Sequence, residues 1–133
     1  MHTGGCLCGA VRYTISGELA PIQVCHCGQC RKAQGGPFAT NIPVADDAFR
    51  LLAGAEALVH FRSSEDKRRV FCGHCGSPIY SARDSRPEVL RVRAGSLDEP
   101  LRTAPEGHYY IESRAAWWPL DDALPRHVGA KSG

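Results

Sequence analysis

The sequence predicts a mainly β, loop-rich domain with one or two short helices. Apolar and polar residues alternate over several short runs, which is the period of half-buried strands. The 133 residues include 14 glycines and 9 prolines, which favour turns between short strands. A chain of this length accommodates one domain. We therefore expect a single domain over residues 1–133, with a core at about residues 4–118 and a loosely ordered tail at residues 119–133.

The individual strand predictions follow this alternation along the chain. In AVRYTI, residues 10–15, the side chains of Val11, Tyr13 and Ile15 share one face, which predicts a half-buried strand. Further strand candidates are PIQVCHC, PFATNIPV, FRLLAG, ALVHFRS, VFCGHCGSPIYSA and EVLRVRAG. VFCGHCGSPIYSA is expected to contain a tight turn between two strands, and HYYIESRAAWWPL closes the domain. RKAQGG, from Arg31, allows about one helical turn before its glycines end it. SEDKRR is interpreted as a charged, solvated hairpin turn.

Charge and hydropathy exclude several function classes. The net charge of +2 gives no indication of nucleic-acid or anionic-membrane binding. The amino terminus has no basic run leading into an apolar one, so no secretory signal is predicted. No apolar stretch reaches the roughly 20 residues of a spanning helix. We expect a cytoplasmic protein with reduced thiols; the sequence does not predict its oligomeric state.

The seven cysteines favour metal binding over disulfides. Cys6 and Cys8, like Cys25 and Cys27, are two residues apart, and a disulfide between them would close a small, strained ring. An odd number of cysteines would also leave one thiol unpaired. Thiolates in a reducing compartment are instead stabilised by a metal or a positive neighbour.

Two cysteine pairs have the pattern of a structural zinc site. Cys72 and Cys75 lie in CGHCG, where the glycines permit the tight turn of a zinc knuckle and let backbone N–H groups point at the sulfurs. Cys6 and Cys8 lie in the tighter loop CLCG. Together they supply four thiolates from two distant segments, as a structural zinc requires. The alternative is that one pair consists of buried core thiols.

Cys25, Cys27 and Cys30 remain. In an extended strand Cys25 and Cys27 point to one side and His26 to the other, and the following turn brings Cys30 to the same centre. If the seven thiols divide as four and three, the second site has three protein ligands and a fourth position open to water or substrate. That arrangement is typical of a catalytic zinc.

Three alternatives for these cysteines stay open. A histidine could complete a second structural site, the candidates being His26, His60, His74 and His108. The ligand sets could also be exchanged, with Cys6 and Cys8 joining Cys25 and Cys27. A redox role for Cys27 and Cys30 is the third alternative, although the βαβ context of thioredoxin-like motifs is missing.

Four motifs in order, GGCLCGAVRY, CHCGQCRKAQGG, FCGHCGSPIY and RAGSLD, resemble the glutathione-dependent formaldehyde-activating enzyme family, which includes centromere protein V. The resemblance covers about Gly4 to Trp118. It implies a β-tent-like fold of several coiled antiparallel sheets around a structural zinc held by Cys6, Cys8, Cys72 and Cys75. It also implies a second zinc, the site of thiol chemistry, at Cys25, Cys27 and Cys30.

The activity implied by this resemblance is that of a carbon–sulfur lyase, which joins glutathione and formaldehyde to give S-hydroxymethylglutathione. We therefore expect an enzyme with two zinc ions, and with a small thiol and a small aldehyde as its partners. Arg31 and Lys32 follow the last cysteine and could contact the carboxylates of glutathione or another thiol; the alternative is a solvated surface pair.

Two functions without catalysis compete with this expectation. One is a zinc-stabilised binding module, as the centromere-protein branch suggests. A chromatin-binding relative would be expected to carry a long basic extension, whereas this charge is nearly balanced. The other is metal buffering, for which seven thiolates are few.

Overall fold

The computed structural model describes residues 1–98 and 100–130, which form a mainly β fold. Within them there is one α-helix, α1 (Gly28–Gln34), and single 3-10 turns occur at Asp46–Ala48, Ala55–Ala57, Ala94–Ser96 and Ile111–Ser113. The strands are β1 (His2–Gly5), β2 (Arg12–Ile15), β3 (Ile22–Cys25), β4 (Ala39–Ala45), β5 (Phe49–Ala53), β6 (Leu58–Arg62), β7 (Lys67–Cys72), β8 (Pro78–Arg83), β9 (Arg86–Arg93) and β10 (Pro105–Tyr109). The expectation of a mainly β chain with few helices is confirmed.

The strands form two sheets. The smaller sheet has the order β1-β2-β5, and the larger one has the order β10-β3-β4-β9-β8-β7-β6. Every strand pair is antiparallel except β10 and β3, which run parallel. A parallel pair needs a long connection, and here six strands, β4 to β9, lie between β3 and β10 in the chain.

The core lies between the two sheets. Val11, Tyr13 and Ile15 are buried, as their alternation predicts. Phe49 of β5 joins the sheets, because its ring stacks on Tyr13 at a centroid distance of 4.9 Å and meets the edge of Tyr80, from β8, at 5.4 Å. Burial of these aromatic rings fixes the orientation of β2, which follows the first pair of cysteines.

Helix α1 begins three residues earlier than its sequence indicates. Cys27 is its extended N-cap residue, and its sulfur accepts a hydrogen bond from the Cys30 amide at 3.3 Å. A thiol thus fills the capping position that Ser, Thr, Asp or Asn usually occupies. Gly35 ends the helix in the left-handed conformation, with φ of 65°, and donates its N–H to the Arg31 carbonyl.

The prediction of a fully solvated SEDKRR turn is wrong for two of its basic residues. The turn itself ends before Lys67, where β7 begins. Lys67 and Arg69 are only 8% and 7% exposed. They are buried because β7 is an interior strand of the larger sheet, between β6 and β8.

The prediction of a loosely ordered tail is wrong for the segment around Arg126. His108 in β10 donates its amide to the Pro125 carbonyl and accepts from the His127 amide, both at 2.8 Å. The His127 ring also stacks on Tyr109 at 4.7 Å. The segment therefore extends the larger sheet beyond β10. Residues 131–133 of the expected tail lie outside the described residues.

Among the described residues, no helix is both long enough and apolar enough to cross a membrane.

Candidate metal centres and the adjoining cavity

The first cysteine group, which we name the tri-cysteine group, consists of Cys25, Cys27 and Cys30. Cys25 is the last residue of β3, Cys27 caps α1, and Cys30 lies in the first turn of that helix. The strand end and the helix start thus bring the three sulfurs within 4.8 Å of one another. The sulfurs of Cys25 and Cys30 are 3.2 Å apart.

The second, the four-cysteine group, consists of Cys6, Cys8, Cys72 and Cys75. Cys6 and Cys8 lie in the loop after β1, and the other two lie at the end of β7 and in the turn leading to β8. The sulfurs of Cys6 and Cys8 are 3.5 Å apart, and those of Cys8 and Cys72 are 3.8 Å apart. This group therefore joins the smaller sheet to the larger one.

Both groups fit a zinc ion by their donor chemistry and their spacing. Zinc–sulfur bonds of about 2.3 Å in a tetrahedron place neighbouring sulfurs about 3.8 Å apart. The separations of 3.5 and 3.8 Å in the four-cysteine group are close to that value, and the 3.2 Å between Cys25 and Cys30 is shorter by about 0.6 Å; all seven cysteines are free thiols. The fit supports the division of the thiols into four and three, and it disfavours the exchanged ligand sets.

Backbone amides stabilise the sulfurs of the four-cysteine group. The Val11 amide donates to Cys6 at 3.2 Å, and the His74 amide donates to Cys72 at 3.4 Å. Hydrogen bonds from the side chain and the backbone of Ser77 lower the pKa of Cys75 to about 5. At Cys75 the thiolate, the form that binds zinc, is therefore favoured at neutral pH.

No fourth ligand completes the tri-cysteine group within the described residues. Among residues 1–98 and 100–130, no further cysteine sulfur, histidine nitrogen or carboxylate oxygen lies within 4.8 Å of all three sulfurs. His60 and His74 are exposed on other parts of the surface. His26 turns its ring towards His108. None of the four candidate histidines therefore belongs to this group.

His26 instead begins a chain of polar contacts that ends in the carboxy-terminal segment. Its Nε2 atom lies 2.8 Å from Nδ1 of His108, and Nε2 of His108 lies 3.0 Å from a carboxylate oxygen of Asp122. Both rings are buried. Burial and the neighbouring His108 lower the pKa of His26 to about 4, so its ring is neutral at physiological pH. This series of contacts anchors the backbone between Cys25 and Cys27.

Three buried cations surround the tri-cysteine group, and the sequence interpretation did not identify them. Arg69 directs both terminal nitrogens to the Cys30 sulfur, at 3.8 and 3.9 Å. Lys67 and Arg93 act on it through their charge. Hydrogen bonding with Cys25 and Cys27 lowers the pKa of Cys30, and the positive charges of Lys67 and Arg69 lower it further.

The two basic residues proposed from the sequence have different positions. Arg31 donates to the Ser113 carbonyl at 3.0 Å, which ties α1 to the segment after β10. Lys32 is exposed and lines a cavity beside the helix. Its contact with a substrate carboxylate therefore stays a prediction, whereas the Arg31 guanidinium already has a protein partner.

The cavity next to the tri-cysteine group has a volume of about 500 Å³. It lies between α1 and the strands β6, β7 and β8, and its lining includes Gln29, Lys32, Phe61, Arg69, Tyr80 and Arg93. Arg69 belongs both to this lining and to the contacts of Cys30. The cavity is large enough for a small-molecule ligand close to the three sulfurs.

Comparison with known families agrees with this arrangement. The model of the family described as "Glutathione-dependent formaldehyde-activating enzyme" matches residues 1–113. The chain belongs to this family. The family resemblance predicted from the four motifs is thereby confirmed.

This family member is also similar to a curated protein and to a solved structure. A Schizosaccharomyces pombe protein named as an uncharacterized lyase is 29% identical over 85 residues, or 61% of this chain. The match spans 57% of that relative's length. A crystal structure of a Rhodobacter sphaeroides protein has a TM-score of 0.64 at 24% identity, covering 77% of this chain and 97% of that one. That likeness shows a shared fold.

Proposed function

We propose that this protein is a zinc-binding carbon–sulfur lyase that adds formaldehyde or a similar small carbonyl compound to glutathione or another thiol. Family membership and the lyase name of the fission-yeast relative support the reaction class. The observation that carries the proposal is the tri-cysteine group, whose three sulfurs lie within 4.8 Å of one another without a fourth ligand in the described part of the chain. The four-cysteine group is the structural site in this proposal.

The proposed reaction is an addition without oxidation or reduction. The thiol sulfur forms a bond to the carbonyl carbon, the carbon–oxygen π bond breaks, and the thiol proton ends on the new hydroxyl group. A zinc ion at the tri-cysteine group would supply Lewis acidity for the thiol or for the carbonyl oxygen. Cys25, Cys27 and Cys30 would hold that ion.

The chain's own residues contribute positioning and charge. Arg69 holds the Cys30 sulfur, and the Cys30 amide holds the Cys27 sulfur, so the ligand atoms are fixed before any substrate arrives. The cavity adjoins this centre through Arg69, which lines the cavity and contacts the Cys30 sulfur. Because thiols add to aldehydes readily in water, proximity of the two reactants is the main benefit such a site can offer.

The test combines metal counting with a rate measurement. Elemental analysis should find two zinc ions per native chain and one in Cys27→Ser, with an unchanged circular dichroism spectrum. Exchange between ¹³C-formaldehyde and its glutathione adduct, followed by NMR, should be accelerated by the native protein and not by Cys27→Ser. His74→Ser is the control, since His74 is exposed between two cysteines of the other group.

A single zinc in the native protein would contradict the proposal, as would undiminished acceleration by Cys27→Ser. Two zinc ions without any acceleration, for glutathione and for smaller thiols, would favour the non-catalytic binding module.

A further inference from the structure

Two buried arginines that line the cavity have no carboxylate partner in the described part of the chain. Arg69 and Arg93 line the cavity and are only 7% and 4% exposed. The salt bridges among the described residues include neither of them, nor Lys67. Burial of a charged guanidinium is costly unless an opposite charge or several hydrogen bonds compensate it.

The cysteines can at most balance these cations while no metal is bound. The tri-cysteine group can carry at most three negative charges, against the three cations Lys67, Arg69 and Arg93. Zinc fits these sulfurs and would add two positive charges when bound. The loaded site would therefore have an excess of positive charge at the cavity floor, which an anionic ligand would balance.

The hydrogen bonds of the two arginines are also incomplete. Arg93 directs Nη1 to the side chain of Asn41 and to the Arg91 carbonyl, whereas its Nε atom is buried without a partner. Arg69 donates Nε to the Ser63 hydroxyl at 3.2 Å, whereas its terminal nitrogens have only long contacts, to the Cys30 sulfur at 3.8 and 3.9 Å and from Nη2 to Gln29 at 3.5 Å. A guanidinium presents five N–H donors in a fork that matches a carboxylate.

The walls of the same cavity are largely apolar. Phe61, Phe71 and Tyr80 contribute rings, and Val70 and Pro78 contribute aliphatic surface. Phe61 is 59% exposed, so a ligand entering over this ring would bury apolar surface that is now in contact with water.

We propose that the cavity is a binding site for small carboxylates with an apolar body, in which Arg69 and Arg93 bind the carboxylate and the aromatic walls contact the remainder. This inference deepens the proposed function, because it assigns a carboxylate to the substrate of the adjacent tri-cysteine group.

The experiment uses a pair of probes without sulfur, so that its outcome does not depend on thiol chemistry. Zinc-loaded protein is titrated with 3-phenylpropionate and with its uncharged counterpart 3-phenylpropan-1-ol, and binding is followed by ¹H–¹⁵N NMR. We expect the acid to bind about tenfold or more tightly, the range of a charge-assisted hydrogen bond. The largest shifts should fall on α1 and β7.

Two arginine variants and one control test whether Arg69 and Arg93 cause the preference for the acid over the alcohol. Arg93→Gln and Arg69→Gln should each bring the affinity for the acid close to that for the alcohol. Arg86→Gln should keep the native preference, because Arg86 is an exposed residue of β9 that pairs with Glu88 away from the cavity. If either cavity variant does not fold, the other variant and the two-probe comparison in the native protein still decide.

Equal affinity for the two probes would overturn the inference. So would an absence of binding at millimolar concentrations, or a preference that survives both cavity variants. Thiol addition is measured separately, so carboxylate binding without catalysis would reject only the proposed function, and catalysis without carboxylate binding would reject only this inference.

Discussion

Replacement of Gly54 by alanine should destabilise the fold and weaken the four-cysteine group together. Gly54 has φ of 91°, in the region that L side chains rarely adopt. A Cβ atom there would also lie 2.4 Å from the Ala10 carbonyl oxygen and 2.7 Å from the Val11 Cα atom. Both atoms belong to the backbone, so neither can rotate away as a side chain could.

The expected loss has two parts. The left-handed conformation costs a non-glycine residue about 1–2 kcal/mol, and overpacking against a fixed neighbour typically adds about 1–3 kcal/mol. Gly54→Ala should therefore lower the free energy of unfolding by about 2–5 kcal/mol. Gly17 provides the matched control, because its φ is 85° and a Cβ atom there would have no neighbour within 4 Å. Gly17→Ala should lose only the first part.

The effect should extend to metal binding because the Val11 amide donates to the Cys6 sulfur. Displacement of Ala10 and Val11 would lengthen that bond. Urea denaturation at fixed zinc concentration measures the stability of both variants, and zinc transfer to a colorimetric chelator measures the rate of metal loss. Equal destabilisation by Gly54→Ala and Gly17→Ala would refute the steric argument, and an unchanged rate of zinc loss would refute the link to the sulfur.

Three further predictions concern single side chains. Cys72→Ser should lower the thermal midpoint and the zinc content together, since the four-cysteine group joins the two sheets; a native midpoint in calorimetry would contradict this. Burial raises the pKa of Tyr13 to about 12, above its unfolded value of about 10. The neutral phenol is therefore favoured in the fold, so stability is fully present below pH 10 and decreases as the pH rises towards 12. Tyr13→Phe should reduce that decrease in urea titrations, and an unchanged slope would contradict it. His108→Phe should cost about 1–3 kcal/mol by leaving Nε2 of His26 without a partner. It should also speed hydrogen exchange at His127, and native exchange rates there would contradict this role.

The sequence predicted those features that depend on neighbouring residues. Alternation of Val11, Tyr13 and Ile15 identified β2 because a strand exposes alternate side chains to the same face, and all three are buried. Cysteine spacing identified both groups of thiols because residues two or three apart in a strand end or a tight turn hold their sulfurs close together. Local chain geometry brings together the sulfurs of cysteines that are close in sequence. Only the approach of Cys6 and Cys8 to Cys72 and Cys75 requires the tertiary fold.

The buried cations could not be predicted in this way. Lys67 and Arg69 lie in a run of charged residues that is usually solvated, and their burial results from β6 and β8 pairing on either side of β7. The contact of Arg69 with Cys30 joins residues that are 39 positions apart. One local signal for the burial of Arg93 is its position beside Val92, in a strand that has apolar residues on both faces.

Pairing of distant segments also explains the other differences. The parallel alignment of β10 with β3, and of Arg126 with His108, depends on contacts that no local pattern encodes. The amino-terminal strand β1 was not predicted because HTGG has neither alternation nor β-branched residues beyond Thr3. It is held by pairing with β2.

Helix α1 performs two tasks with very little length. Its first turn contains Cys30, and Cys27 is its N-cap residue. Gln29, Lys32 and Ala33 of the same helix line one side of the cavity. A seven-residue helix has little stability of its own. The stability of α1 therefore depends on the ligand that the tri-cysteine group binds. Because α1 forms one side of the cavity, the shape of the cavity depends on that ligand as well.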